Sequence, residues 1–186
     1  MIETHGMAHA LHRILEAADQ LREQKDVVFL LVGSGAQREA LVEQAESMAL
    51  DNVRFLSRQP KEMMAAVWSL CDVSLIQLKD DPLFRSVIPS KIFESMGMGL
   101  PIILSLPEGE TSEIVKKTGA GIVIAPEQPD KLVRAVLELY NDISLRSRLA
   151  KASAAAAVNY SRERQAAMMI EVLERVVAGE SIAFQT

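Results

Sequence analysis

Five short apolar runs, each parted from the next by a stretch with helical spacing, restrict this chain more than any other feature. They are "DVVFLLVG" (26–33), "NVRFL" (52–56), "DVSLIQL" (72–78), "PIILSL" (101–106) and "GIVIA" (121–125). Runs this continuous suit parallel strands covered on both faces, because a half-exposed strand would alternate apolar and polar residues. Between them, "AHALHRILEAADQLREQ" places Leu11, Ile14, Leu15, Ala18 and Leu21 on one helical face, and this helix is expected to begin near Ala8. "AQREALVEQAESMAL", "PKEMMAAVWSLC", "PSKIFESMGMG", "TSEIVKKTG" and "PDKLVRAVLELYND" continue the alternation, with Pro60 and Pro89 expected as first-turn residues. After Tyr140 no further strand is read. "SLRSRLAKASAAAAVNY" and "SRERQAAMMIEVLERVVAG" are expected to be helices, the second capped by Ser161.

Strand–helix alternation with parallel-type strands predicts an α/β fold, a doubly wound, Rossmann-like parallel sheet with extra C-terminal helices. A length of 186 residues fits one domain. Residues 1–179 are assigned to it and 180–186 to a frayed tail. A doubly wound sheet normally starts with a central strand, and here only residues 1–4 can supply one. They are expected to form a short parallel strand in mid-sheet, and so brief a strand implies that Met1 is not the natural start of a complete enzyme.

Composition narrows the function. Hydrophobic residues at 49% support a closed core, and aromatic residues at 4% argue against stacking platforms for single-stranded nucleic acid. A net charge of −5 lacks the general footprint of a nucleic-acid binder, although local charge can still receive a small anion. The single cysteine, Cys71, excludes an internal disulfide and reads as an inert thiol in an apolar setting. With no signal peptide or membrane-length apolar run, the cytoplasm is the expected location, and peripheral membrane association stays open.

Ligands of such sheets bind beyond the carboxyl ends of the strands. The loops that matter are therefore 33–36, 57–60, 79–90 and 105–111. In "VGSGAQRE", Gly33 and Gly35 either hold a ligand near backbone N–H groups or simply make a tight turn, and both readings stand. Arg38 occupies the third glycine's place of a dinucleotide fingerprint, which excludes NAD binding. His5, His9 and His12 have helical spacing but no nearby carboxylate, so ordinary loop or surface histidines are expected rather than a metal site. Met63–Met64, Met96/Met98 and Met168–Met169 read as core filling. Arg146, Arg148, Lys151, Arg162 and Arg164 read as solvated helix faces.

"KDDPLFRSVIPSKIFE" is different: a long loop leaves a strand's carboxyl end and runs into a helix. Arg85 and Lys91 could neutralise a diphosphate, and Ser90 adjoins first-turn amides, where an anion is favoured. Glu94 lies one turn on, with its side chain leaning back, and a carboxylate is a natural acceptor for a sugar's paired hydroxyls. The competing reading is an amphipathic helix that turns Lys91 and Glu94 to solvent.

Over residues 4–178 the chain resembles the C-terminal, nucleotide-sugar-binding domain of group 1 (family 4) glycosyltransferases of the GT-B class. "LLVGSGAQREALVEQAESMALDNVRFLSRQP" resembles the family's strand, glycine turn, helix and second strand. "CDVSLIQLKDDPLFRSVIPSKIFESMGMGLPII", with "THGMAHAL", resembles a subgroup acting on amino-sugar and deoxy-sugar donors in surface-polysaccharide assembly. The resemblance implies a hexosyltransferase, retaining its donor's anomeric configuration, in polysaccharide or lipopolysaccharide biosynthesis. It implies that Glu94 binds the donor ribose. Ser86 stands where the family has a second glutamate on the donor sugar, with Arg85 beside it. Thr4 and His9 stand at the family's diphosphate-binding arginine and lysine. Ser57, Arg58 and Gln59 resemble the segment that meets the nucleobase. No catalytic residue is assigned.

The implied partners are a nucleotide-diphospho-sugar, a UDP-sugar favoured, and an N-terminal acceptor domain not contained in this chain. The fragment alone is expected to bind donor without efficient transfer. The last helix, 161–179, is expected to pack on that other domain and, without it, to be exposed or self-associated. No cofactor and no metal are expected, since no Asp-X-Asp motif accompanies the diphosphate loop. Two other classes compete: a nucleotide-sugar 2-epimerase of the same architecture, and a non-catalytic regulatory α/β module of receiver type.

Overall fold

The computed structural model describes residues 6–179. The strand expected at residues 1–4, Thr4, His5 and the tail at 180–186 lie outside the described residues. Among these, the strands are β1 (Phe29–Val32), β2 (Val53–Leu56), β3 (Ser74–Gln77), β4 (Ile102–Ser105) and β5 (Gly121–Ile124). The helices are α1 (His12–Gln20), α2 (Arg38–Ser47), α3 (Met64–Trp68), α4 (Lys91–Gly97), α5 (Glu110–Thr118), α6 (Pro129–Asn141), α7 (Ile143–Ala157) and α8 (Arg162–Val177). Every strand pairing is parallel. β1 pairs β2 with Phe29 opposite Val53, and β4 lies between β3 and β5, with Ile102 opposite Ser74 and Gly121.

The core explains the unbroken apolar runs. Leu31, Leu75 and Ile103 join Leu11 just before α1, Ile14 and Leu15 of α1, and Leu132, Ala135 and Leu139 of α6 in one cluster. That cluster spans both ladders. The alternate strand positions Ile76, Ile102 and Leu104 face the other way, against Ile92 and Met96 of α4 and Val115 of α5. With helices on both faces, an unpaired polar side chain has no place in either set. The α/β fold with parallel strands covered on both sides is thus the one anticipated, although the described strands form two separate sheets, β1–β2 and β3–β4–β5, where one was expected, and each strand is shorter than its apolar run.

Local chemistry moves several boundaries. α1 begins at His12, not near Ala8. Met7–His9 form a short 3-10 turn, and Ala10 then takes a left-handed conformation (φ 44°, ψ 43°). That conformation costs a non-glycine residue about 1–2 kcal/mol and cannot be part of a continuous helix. Pro60 and Pro89 both precede their helices instead of lying in the first turn. Pro60 has an extended ψ of 151°, and the chain helical at α4 starts at Lys91. Proline removes a donor at these places without needing to be inside the helix.

The methionine reading holds for Met96, which is fully buried, and for Met64, which packs with Trp68 and Val67. It fails for Met63, Met98, Met168 and Met169, which are exposed. Apolar spacing marked a face there, but no other part of the described chain covers it. Ser161 caps α8 as expected, its hydroxyl accepting from the Arg164 N–H at 3.1 Å. Arg148, Lys151, Arg162 and Arg164 are exposed, while Arg146 is half-buried and donates to the Leu139 carbonyl.

Candidate functional site at the carboxyl edge of the sheet

α4 is held by one face. Ile92, Ser95 and Met96 are buried, and the Ser95 hydroxyl lies 2.7 Å from both the Ser74 hydroxyl of β3 and the Lys91 carbonyl. These anchors leave Lys91 half-buried and Glu94 exposed on the opposite side. The Ser90 hydroxyl donates to the Glu94 carboxylate at 3.1 Å, so the side chain leans back toward the helix start, as a helical carboxylate should. The N–H groups of Ile92 and Phe93 donate to the Pro89 and Ser90 carbonyls, closing the first turn on itself. Side chains, more than these two amides, are what α4 presents. Phe93 stacks on Tyr160 with ring centroids 5.0 Å apart, tying α4 to the chain that enters α8.

The 79–90 loop, which carries Arg85, Ser86 and Ser90, is anchored along its length. The Asp81 carboxylate accepts from the Leu83 N–H at 2.8 Å and starts a 3-10 turn over Pro82–Arg85. The Asp80 N–H donates to Glu127 at 2.9 Å. The buried Thr111 hydroxyl donates to the Val87 carbonyl at 2.8 Å. Gly109 lies against the Arg85 backbone so closely that an added Cβ would overlap the Arg85 carbonyl. Arg85 and Ser86 themselves are exposed, beside the exposed apolar Leu83, Val87 and Ile88.

A second loop, residues 6–11, meets the end of β3. His9 is half-buried, and its Nδ1–H donates to the Gln77 carbonyl at 3.1 Å, which identifies the protonated ring nitrogen. The Lys79 N–H donates to the Ala8 carbonyl at 2.9 Å. His9 thus ends a short 3-10 turn fastened to β3; among the described residues no three His, Cys, Asp or Glu side chains are grouped to hold a metal.

The remaining candidates gather at the ends of β1 and β2. Gly33 and Gly35 have φ of 151° and 153°, which side-chain-bearing residues rarely adopt. The turn alone thus requires both glycines. The Gly33 N–H donates to the Leu56 carbonyl at 2.9 Å, which sets the β1 turn beside the loop after β2. In that loop Arg58 is exposed and Gln59 donates to the Ser57 carbonyl at 3.0 Å. His9, Arg85, Ser86, Ser90, Lys91 and Glu94 thus share the end of the β3–β4 ladder, and Gly33, Gly35, Arg58 and Gln59 the end of the β1–β2 ladder.

Sequence reasoning passed over three residues that build this edge. Ser74 and Gln77 were carried inside the strand run "DVSLIQL" without a role of their own, and Gly109 inside the 105–111 loop. The available signal was a polar residue in a run buried on both faces, which must find a partner. Elsewhere, burial pushes the Cys71 thiol up from its ordinary pKa, in keeping with an inert group. No helix among the described residues is long and apolar enough to cross a membrane.

Residues 8–156 match the family described as glycosyl transferases group 1. The chain is 28% identical over 135 residues to a probable glycosyltransferase, WbjE, of Pseudomonas aeruginosa, covering 72% of this chain and 33% of that protein. It is 26% identical over 133 residues to a putative colanic acid biosynthesis glycosyl transferase, WcaI, of Escherichia coli (strain K12), covering 70% and 32%. Among solved structures, Anabaena HepE in complex with UDP-glucose superposes with a TM-score of 0.75 at 22% identity, over 93% of this chain and 47% of that one. The chain spans about a third of the length of the curated relatives it matches. A family match over most of the chain, on two parallel sheets with charged loops at the carboxyl ends of their strands, means that this protein belongs to the group 1 glycosyl transferases.

Proposed function

We propose that this chain is the donor-binding half of a hexosyltransferase that passes a sugar from a nucleotide-diphospho-sugar, a UDP-sugar in the favoured case, to a glycan or lipid-linked acceptor in cell-surface polysaccharide assembly. An N-terminal domain would supply the acceptor side of the cleft, and the whole enzyme would work in the cytoplasm or at the inner face of the membrane. The observation that carries the reading is Glu94: in a group 1 glycosyl transferase chain, it stands exposed on the unburied side of α4 while the Ser90 hydroxyl holds its carboxylate. A carboxylate so held accepts from the two ribose hydroxyls at little cost in ordering. Lys91 and Arg85 supply positive charge for the diphosphate, and His9, tied to the end of β3, would join them at the same edge. The segment 57–59 serves the base. Support for uridine comes from the neighbours, since HepE was solved with UDP and with UDP-glucose.

Titration calorimetry of this chain with UDP, GDP and phosphate tests the reading. UDP should bind more tightly than phosphate. Glu94→Gln keeps the shape and removes the charge, so it should cost about 1.5–3 kcal/mol, or roughly ten- to a hundredfold in UDP affinity, with thermal stability nearly unchanged. Lys91→Ala should weaken UDP more than uridine. If Glu94→Gln unfolds the domain yet spares affinity in what stays folded, the carboxylate is structural and the proposal fails.

A further inference from the structure

We propose that Gln77 is a positioning residue for the 6–11 loop of this site: its carboxamide grips two successive carbonyls and keeps Ala10 in the left-handed turn that sets His9 at the carboxyl edge of β3. The inference rests on the reading of that edge as the donor site, and its own readout is independent of that reading.

Gln77 ends β3 with 1% of its surface exposed, in a strand whose other residues are Ser74, Leu75 and Ile76. A buried carboxamide must be bonded or it destabilises its surroundings. Its Nε2 donates to the His9 carbonyl at 2.7 Å and to the Ala10 carbonyl at 2.8 Å, so both hydrogens are used. With two carbonyl oxygens facing it, the nitrogen is the only end of the amide that fits there. The backbone of Gln77 completes the attachment, because its carbonyl accepts from His9 Nδ1–H at 3.1 Å. Two residues on, the Lys79 N–H donates to Ala8 at 2.9 Å. Residues 8, 9 and 10 are all tied to one stretch of β3 and its exit.

Ala10 is the reason such a grip is needed. At φ 44° and ψ 43° it occupies a region that alanine disfavours. A helical turn of either hand sets the two carbonyls flanking residue 10 on one side, where one donor group can reach both; an extended residue would oppose them. The left-handed sense ends the 3-10 turn at His9 and lets the chain restart as α1. The Ala10 carbonyl also accepts from the Arg13 N–H at 3.0 Å, so the gripped oxygen opens the helix as well. Ala10 is itself 1% exposed, and Leu11 and Ile14 after it are fully buried, so the turn sits where the core begins.

The test is a two-by-two set: the wild type, Gln77→Met, Ala10→Gly and the double variant. Methionine keeps the length of Gln77 and removes the donors. Glycine adopts positive φ without help. Gln77→Met should speed amide exchange at Arg13 and Lys79 and weaken UDP about tenfold, as two hydrogen bonds of ordinary strength would allow. Ala10→Gly in the Gln77→Met background should restore most of the exchange protection and of the affinity, which it would not do if Gln77 were only a packing residue. Unchanged exchange at Arg13 and Lys79 in Gln77→Met, or no recovery in the double variant, overturns the proposal. If Gln77→Met does not fold, recovery of folding in the double variant supports it and continued failure overturns it. If the wild type binds no UDP, the donor-site reading falls, and the exchange measurements still decide for or against the grip.

Discussion

α1 and α8 are both amphipathic in sequence, and the structure treats them oppositely. In α1 and its flanks, Leu11, Ile14, Leu15, Ala18 and Leu21 are 0–1% exposed, packed against β1, β3, β4 and α6. In α8 no residue is buried, and Met168, Met169, Ile170, Leu173, Val176 and Val177 are 45–87% exposed. A helical apolar stripe states that a face wants a partner; it does not state where the partner is. For α1 it lies on the same sheet. For α8 the described chain offers, at its entrance, the Ser161 cap, the Phe93–Tyr160 stack and a hydrogen bond from Gln165 Nε2 to the Asn159 carbonyl.

That contrast can be broken most directly by truncating one leucine in each helix. Leu15→Ala should destabilise the domain by about 2–5 kcal/mol, the cost of lost burial plus a cavity. Leu173→Ala should stay within about 0.5 kcal/mol, the range of substitutions away from any packed feature. Urea denaturation of this chain measures both, and comparable losses would show that α8 is covered in solution.

Between these extremes lies the 79–90 loop, exposed at its tip yet pinned at its base. Gly109→Ala would drive a methyl group into the Arg85 carbonyl, so the loop must shift. The cost should be about 1–3 kcal/mol, as for other overpacked sites, with weaker UDP binding because Arg85 and Ser86 move together. A variant with wild-type stability would mean that the loop is held as loosely as α8.

The smallest expected effect sharpens the comparison instead of testing it. Ser161→Ala removes an N-cap worth about 1 kcal/mol to its helix. Since α8 buries nothing, the loss should appear as faster amide exchange near Arg164 while the urea midpoint of the whole domain stays put. A matching fall in the midpoint would place α8 inside the cooperative unit.

Much of the fold was legible because a parallel strand covered on both faces has no polar side to show. Ile102, Ile103 and Leu104 point alternately into the two core clusters, and the sequence there is apolar without a break. The same logic marked Lys91 and Glu94 as the charged side of a short helix, and the buried side is Ile92, Ser95 and Met96. It misjudged Met63, Met98, Met168 and Met169, because methionine pairs carry no mark of whether their face is covered. It also carried α1 back to Ala8, because nothing local in "GMAHAL" forbids a helix.

What the sequence by itself determined is the class of fold, the order of its elements, and a charged segment placed at the carboxyl edge of a strand. All of these follow from periodicity, which acts over a few residues. Only the tertiary structure decided which amphipathic faces are covered, where α1 begins, and how the edge loops are held. The partners in those decisions are far apart in the chain: Gln77 reaches His9 across 68 residues and Thr111 reaches Val87 across 24. A buried polar group must be paired, and only the closed fold brings the paired groups within hydrogen-bonding distance.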